Sequence, residues 1–180
     1  MGISMMWMVT KFLGICLILS SSTAIGFWLS NRLKERIDEL EIIKKLFMLL
    51  RGEIKYNHAA LSEAFQTIAR RMDNLYGRLL SQVSEQMDSM EGQTLTQIWT
   101  QCAEEGLKES ALNKEDREKL ISMGGQLGYL DIEMQLGTIE LYLEQVQQEI
   151  ESARENLKRN GKLYQTMGVI AGIFVVILMV

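Results

Sequence analysis

The sequence predicts an all-α protein, an antiparallel helical bundle of about six helices between an N-terminal and a C-terminal membrane helix. The 180 residues include no proline, the residue that most often breaks helices. Alternating runs of β-branched residues, which are typical of strands, are missing as well. Apolar residues recur at helical spacing through the middle of the chain, and an uncharged apolar stretch lies at each end. These patterns divide the chain into residues 1–30, 31–160 and 161–180.

The first apolar stretch runs from Phe12 to Leu29 without a charged residue. Its 18 residues make about 27 Å of helix, and a bilayer core is about 30 Å thick, so we expect this helix to span. A cleaved signal peptide of an exported helical protein is the alternative, because small residues stand at Ser22, Thr23 and Ala24. The basic residues directly after the stretch favour a retained helix.

The second apolar stretch covers residues 167–180 and is only 14 residues long, about 21 Å of helix. We expect a short C-terminal span that Leu163 and Tyr164 lengthen; an interfacial segment is the alternative. The Lys and Arg residues beside both apolar stretches lie on the inner flank, apart from a lone Lys11 before the first. Positive flanks stay on the cytoplasmic side of a lipid bilayer, so the middle domain is predicted to be cytoplasmic.

The net charge of −4 is unevenly distributed. Residues 1–84 carry +4, residues 85–151 carry −11 and residues 152–180 carry +3. An acidic middle argues against binding of nucleic acid and suits either a basic protein partner or a solvated surface. The two cysteines, Cys16 and Cys102, indicate no disulfide framework.

One long amphipathic segment follows the first apolar stretch, and another precedes the second. In the first, one set of apolar residues repeats every seven positions: Leu33, Leu40, Phe47 and Ile54. A second set lies between them at Ile43 and Leu50, and Arg36 interrupts it. In the second, two interleaved sets repeat over four heptads: Ile132, Ile139, Val146 and Ala153, then Leu136, Leu143, Ile150 and Leu157. Because one segment leaves the membrane and the other returns to it, we expect antiparallel partners. Core stripes of a globular bundle would give the same pattern.

Shorter helices are predicted between the two long ones, with turns near Asn57, Asp73, Gly92, Ser110 and Gly125. Their apolar faces include Phe65, Leu79 and Trp99, which we interpret as core. Asn113 followed by Asp116 predicts a capping box that begins one of these helices.

The residues indicate no enzyme, metal site or cofactor site. His58 is the single histidine, so a metal site built on several histidines is not available. No phosphate-binding loop of the G-x-x-x-x-G-K form occurs. Acidic pairs such as Glu104 and Glu105 are interpreted as solvated charge.

Other residues are candidates for contacts with proteins. Gly168 and Gly172 form a G-x-x-x-G step at which the second membrane helix can approach another closely. Glu53, Tyr56 and His58 cluster at the end of the first long helix, where turn packing or an exposed contact would explain them.

Several short segments together resemble the stage III sporulation protein AB family of endospore-forming bacteria. They are LRGEIKY at 50–56, the apolar face from Leu61 to Ala69, LGYLD at 127–131 with Gln135, and NGKLY at 160–164 with Gly168. That family is similar to the cytoplasmic domain of the type II secretion inner-membrane platform protein, a small helical bundle. Gly124-x-x-x-Gly128-x-Leu130 looks like a G-E-x-x-G-x-L turn of that domain, with Gly125 in place of the glutamate.

The resemblance implies a non-catalytic component of the sporulation channel between mother cell and forespore. Such a protein would sit in the mother-cell membrane facing the forespore and dock a cytosolic secretion-type ATPase and other sporulation channel membrane proteins. The sequence leaves open whether it also forms a homo-oligomer. The candidate partner or packing residues are Glu53, Tyr56, Gly124, Gly128, Asp131, Gln135, Gly168 and Gly172. A membrane-bound coiled-coil signalling or scaffold protein remains the alternative.

Overall fold

The structure is a computed structural model that describes residues 2–89 and 92–179. Within those ranges, the side chains of 2–13, 15, 16, 18, 19, 164, 165, 168, 172, 175, 176, 178 and 179 are not described. Six α-helices and one 3-10 turn follow one another: α1 Gly2–Asn57, α2 Leu61–Arg71, α3 Leu75–Asp88, α4 Leu95–Gly106, α5 Lys114–Gln126, the 3-10 turn Leu127–Tyr129, and α6 Ile132–Met179. The described residues include no strand, and the all-α prediction is confirmed.

The chain divides into two compact units. The bundle unit is Arg36–Glu151 and holds α2 to α5 with the adjoining parts of α1 and α6. The terminal unit consists of Met1–Glu35 and Ser152–Val180. Each unit is described by itself below.

Helices α1 and α6 are antiparallel within the bundle unit. The Lys44 ammonium donates to Gln147 Oε1 at 2.7 Å, and the Arg51 guanidinium donates to Glu140 Oε1 at 2.9 Å. Residue numbers therefore rise along α1 while those of their partners fall along α6, which confirms the predicted pairing.

The buried face of α1 is wider than a two-stranded seam. Its core residues are Ile37, Leu40, Ile43, Leu46, Phe47, Leu50 and Ile54. Ile37 and Leu46 fall outside the predicted heptad positions, because α1 packs against more than one helix. This breadth is typical of a core helix in a globular bundle. Phe47 meets the Tyr142 ring edge-on, with ring centroids 4.7 Å apart.

The second predicted seam begins later than expected. Ile139, Leu143, Val146 and Ile150 are buried, whereas Ile132 is 52% exposed. Ile132 is the first residue of α6, where the helix has only begun to enter the bundle. The assignment of Ile132 to the core was therefore wrong.

Most turns lie where the sequence predicts them. Gly92 has a φ of 73°, a conformation that glycine adopts without strain, and the Asn113–Asp116 capping box begins α5. The turn predicted near Gly125 is displaced, since α5 continues to Gln126. Gly124 and Gly125 instead lie inside the helix, where the small residues make room for α4.

In the terminal unit, small residues bring α1 and α6 together. A Cβ atom added to the buried Gly161 would lie 3.5 Å from Ser30 Oγ, and Ser30 is buried as well. Many of the described apolar side chains of this unit are exposed: Leu17, Ile25, Phe27, Trp28, Leu29, Leu163, Met167, Val169, Ile170, Ile173, Phe174 and Ile177.

Among the residues that the structure describes, no helix contains a stretch both long and apolar enough to cross a membrane. Parts of both predicted spans lie outside the described side chains, namely residues 12, 13, 15, 16, 18 and 19 and residues 168, 172, 175, 176 and 178–180. The two membrane helices therefore remain predictions.

Candidate functional site

The candidate residues Glu53 and Tyr56 both lie at the end of α1, but one is buried and the other is exposed. Glu53 is buried and joins two helix ends, because its carboxylate accepts from Asn57 on α1 and lies 3.2 Å from the Arg71 guanidinium at the end of α2. Tyr56 is 75% exposed, with the Lys55 ammonium 5.5 Å from its ring centroid. His58 is exposed and has a φ of 49° in the turn that follows. Glu53 therefore holds the turn, and Tyr56 faces outwards.

Gly124 and Gly128 lie where α4 approaches the end of α5 most closely. A Cβ atom on Gly124 would be 1.9 Å from Trp99 Cε2, and one on Gly128 would be 2.8 Å from Leu95 Cβ. Either contact is too short for two carbon atoms. Thr96 Oγ1 donates to the Gly125 carbonyl at 2.7 Å and strengthens the same contact. The turn motif therefore permits close helix packing in this chain.

Asp131 and Gln135 fix the start of α6 to the turn before it. Asp131 Oδ1 accepts from the Met134 amide at 2.8 Å, in the manner of a helix N-cap. Gln135 is buried, and its Nε2 donates to the Leu127 carbonyl at 2.9 Å. These candidates act on the local structure, like the two glycines.

The structure thus brings Gly124, Gly128, Asp131 and Gln135 together around the connection from α5 to α6. The end of α1 lies at the same end of the bundle unit, since α1 and α6 are antiparallel. Gly168 and Gly172 belong to α6, but their surroundings lie outside the described residues. Their predicted pairing with another membrane helix stays a prediction.

A partly buried ion network, which the heptad pattern misses, joins α1, α5 and α6. Arg36 Nε and Nη2 donate to the two oxygens of Asp116 at 2.6 and 2.9 Å, and Nη2 also reaches Glu149 at 3.2 Å. Lys119 bonds to Glu149 and Glu115, both at 2.8 Å. The hydrogen bond to Asp116 raises the pKa of Arg36, against the opposing effect of burial. The residue that appeared to interrupt the seam is therefore the centre of an interhelical contact.

Asp116 has a second role in the same place. Its Oδ2 accepts from the Asn113 amide at 3.2 Å, and its own amide donates to Asn113 Oδ1 at 2.8 Å. Its side chain is 1% exposed. Burial, with the Asp116 carboxylate as a smaller cause, raises the pKa of the neighbouring Tyr142 phenol well above its ordinary value.

Glu39 forms another interhelical contact that local pattern could not predict. One carboxylate oxygen accepts from the Tyr76 hydroxyl at 2.8 Å, and the other accepts from the Ala111 amide at 2.9 Å. Burial and the charge of Glu39 raise the pKa of Tyr76 far above its ordinary value. Glu39 thereby fastens α3 and the loop after α4 to α1.

These polar clusters bond helices to one another. Across the described residues, no group of three or more His, Cys, Asp or Glu side chains is placed to hold a metal ion. Cys102 is a buried free thiol, and burial raises its pKa.

Comparison with known proteins gives one consistent result. The family model of stage III sporulation protein AB matches residues 11–180. The stage III sporulation protein AB of Bacillus subtilis (strain 168) is 27% identical over 169 residues, covering 94% of this chain and 98% of that protein. A solved structure of stage III sporulation protein AB superposes with a TM-score of 0.62 at 26% identity, covering 68% of this chain and 96% of the other.

The match extends through the bundle unit and most of the terminal unit, and it includes the segments around Glu53, Gly128 and Gly161 that carried the resemblance. This chain belongs to the stage III sporulation protein AB family.

Proposed function

We propose that this sporulation protein is a non-catalytic, membrane-anchored platform in the mother-cell membrane facing the forespore. In this role the bundle unit lies in the mother-cell cytoplasm and docks a secretion-type ATPase, and the terminal unit contacts other membrane proteins of the sporulation channel. Family membership over residues 11–180 is the observation that carries the proposal.

Membrane anchoring is supported by the chemistry of the terminal unit. Its exposed side chains include Phe27, Trp28, Ile170 and Phe174, which are costly to leave in water. The Arg32 guanidinium lies 5.9 Å from the Trp28 ring centroid. Trp and Arg side by side after an apolar stretch are typical of a membrane boundary.

The competing role, a coiled-coil signalling or scaffold protein, needs apolar seams that are free to form a homodimer. In the bundle unit, Leu40, Phe47 and Leu50 of the first seam are buried within one chain, as are Ile139 and Val146 of the second. This burial favours the platform.

The orientation can be tested by cysteine labelling in sporulating cells. Cys16 and Cys102 are first replaced by serine, and the exposed Ser89 is then replaced by cysteine. We expect Ser89→Cys to react only after the mother-cell membrane is permeabilised, whereas Val180→Cys reacts from the other face. Reaction of Ser89→Cys in intact cells would refute the orientation.

Docking can be tested with the full chain in nanodiscs and the purified sporulation ATPase. We expect saturable binding, with empty nanodiscs as the control. Normal sporulation after deletion of the gene, together with no binding, would refute the platform role.

A further inference from the structure

A groove lined in part by apolar side chains lies between α5 and α6 in the bundle unit. Its volume is about 480 Å³. The buried Met123 and Tyr142 contribute to its floor, and its rims include Ser122 and Gln126 on α5 and Leu141 on α6. We call this feature the α5–α6 groove.

Apolar side chains are exposed along the α6 side of the groove. Leu141 is 63% exposed, and Met134, one heptad earlier on the same face, is 56% exposed. Tyr129, in the turn before α6, is exposed as well. A single exposed apolar residue is ordinary, but a set aligned beside a groove is typical of a docking surface.

The groove lining carries one charge of each sign, Glu118 and Lys119. Beyond Lys119 the surface turns acidic, since residues 120–153 contain six carboxylates and no Lys or Arg. Glu140 and Glu149 bond to Arg51 and Arg36 of the same chain. Glu133 and Glu144 are exposed; Glu144 lies within one turn after Leu141, and Glu133 lies just over two turns before it along α6.

We propose that the α5–α6 groove binds a basic helix of the cytosolic partner, with an apolar side chain of that helix seated at Leu141 and its Lys or Arg residues against Glu133 and Glu144. The proposal rests on the docking role above. A helix that inserts an apolar face into a groove is a common recognition mode, and complementary charge gives such a contact its orientation and speed.

The test uses the full chain in uncharged nanodiscs, with the sporulation ATPase as the binding probe. Leu141→Ser removes the apolar contact, and Glu133→Lys with Glu144→Lys reverses the charge. Two matched controls alter comparable exposed residues elsewhere: Met48→Ser on α1 and Glu109→Lys in the loop after α4. Circular dichroism verifies that every variant keeps its helices.

We expect Leu141→Ser to weaken binding about tenfold or more, as the loss of a central interface residue does. The charge reversal should slow association about tenfold in low salt, and high salt should shrink this effect. Met48→Ser and Glu109→Lys should bind as the unaltered chain does. A cross-linker placed at residue 141 should mark a Lys- or Arg-rich helix of the ATPase.

Unchanged binding by both groove variants would overturn the groove and leave the docking role standing. No binding by the unaltered chain would remove the docking role and the proposal together. A dimer of the unaltered chain that Leu141→Ser converts to a monomer would overturn the proposal by assigning the groove to a second copy.

Discussion

Replacement of Asp116 by alanine tests the largest polar contact of the bundle unit. The change removes two hydrogen bonds from Arg36, at 2.6 and 2.9 Å, and one from the Asn113 amide at 3.2 Å. Breaking a buried ion pair costs about 3–5 kcal/mol, because one charge is left behind. The Arg36 side chain is 15% exposed and keeps Glu149 at 3.2 Å, which favours the lower limit. Loss of the reciprocal cap adds about 0.5–1 kcal/mol.

We therefore expect Asp116→Ala to lower the free energy of unfolding by about 3.5–4 kcal/mol. At about 4 °C for each kcal/mol, the midpoint should fall by about 14–16 °C. Thermal unfolding of the full chain in nanodiscs, followed by circular dichroism, measures the change. As a control, Glu118→Ala breaks an exposed pair with Lys114 at 3.6 Å and should cost less than about 0.5 kcal/mol.

A double replacement distinguishes the stability cost of an unpaired charge from that of lost packing. Arg36→Met with Asp116→Leu removes both charges, while Glu149 keeps Lys119 at 2.8 Å. We expect this variant to recover most of the lost stability, because an apolar pair can replace a buried ion pair at little cost. The reasoning is refuted if Asp116→Ala unfolds within about 1 kcal/mol of the unaltered chain. It is also refuted if the double variant is no more stable than Asp116→Ala.

Two further predictions concern packing and pH. Gly124→Ala places a Cβ atom 1.9 Å from Trp99 Cε2 and should destabilise by about 3 kcal/mol in urea unfolding. Gly137→Ala is the matched control, since nothing lies within 4 Å of its Cβ, and it should stabilise α6 by about 0.5–1 kcal/mol; equal effects of the two would contradict the packing argument. Because burial raises the pKa of Tyr142, the folded state keeps this phenol protonated above pH 10, where the unfolded state ionises. The phenol therefore contributes fully to the free energy of unfolding below about pH 10. As the pH rises above that value, the contribution falls by about 1.4 kcal/mol for each pH unit. Tyr142→Phe should remove that part of the slope and leave the difference between the two proteins constant between pH 7 and 9; parallel slopes above pH 10 would exclude the mechanism.

The sequence predicted those parts of the fold that depend on local pattern. Helical spacing located Leu40, Phe47 and Ile139 in the core, because one buried face repeats with the period of the helix. The capping box at Asn113 was predictable because both of its hydrogen bonds span three residues.

Local sequence pattern could not predict the contacts between residues that lie far apart in the chain. Arg36 looked like an interruption because its partner, Asp116, lies 80 residues away. Gly125 looked like the end of a helix because the α4 residue against it, Thr96, is not visible in the local sequence. For the candidate site, the resemblance could not separate the buried Glu53 from the exposed Tyr56. That distinction depends on Arg71 at the end of another helix.

Asp116 takes part both in the capping box of α5 and in the contact with Arg36, and this affects the order in which the chain folds. The capping box closes over three residues and forms as soon as α5 begins, whereas the contact with Arg36 must close a loop of 80 residues. The cap already holds the carboxylate at one fixed point of the first turn of α5. When α1 and α5 meet, less side-chain freedom remains to be lost at this contact. A short-range bond from the Asn113 amide to the Asp116 carboxylate, formed early, thus lowers the entropic barrier to a long-range one formed late.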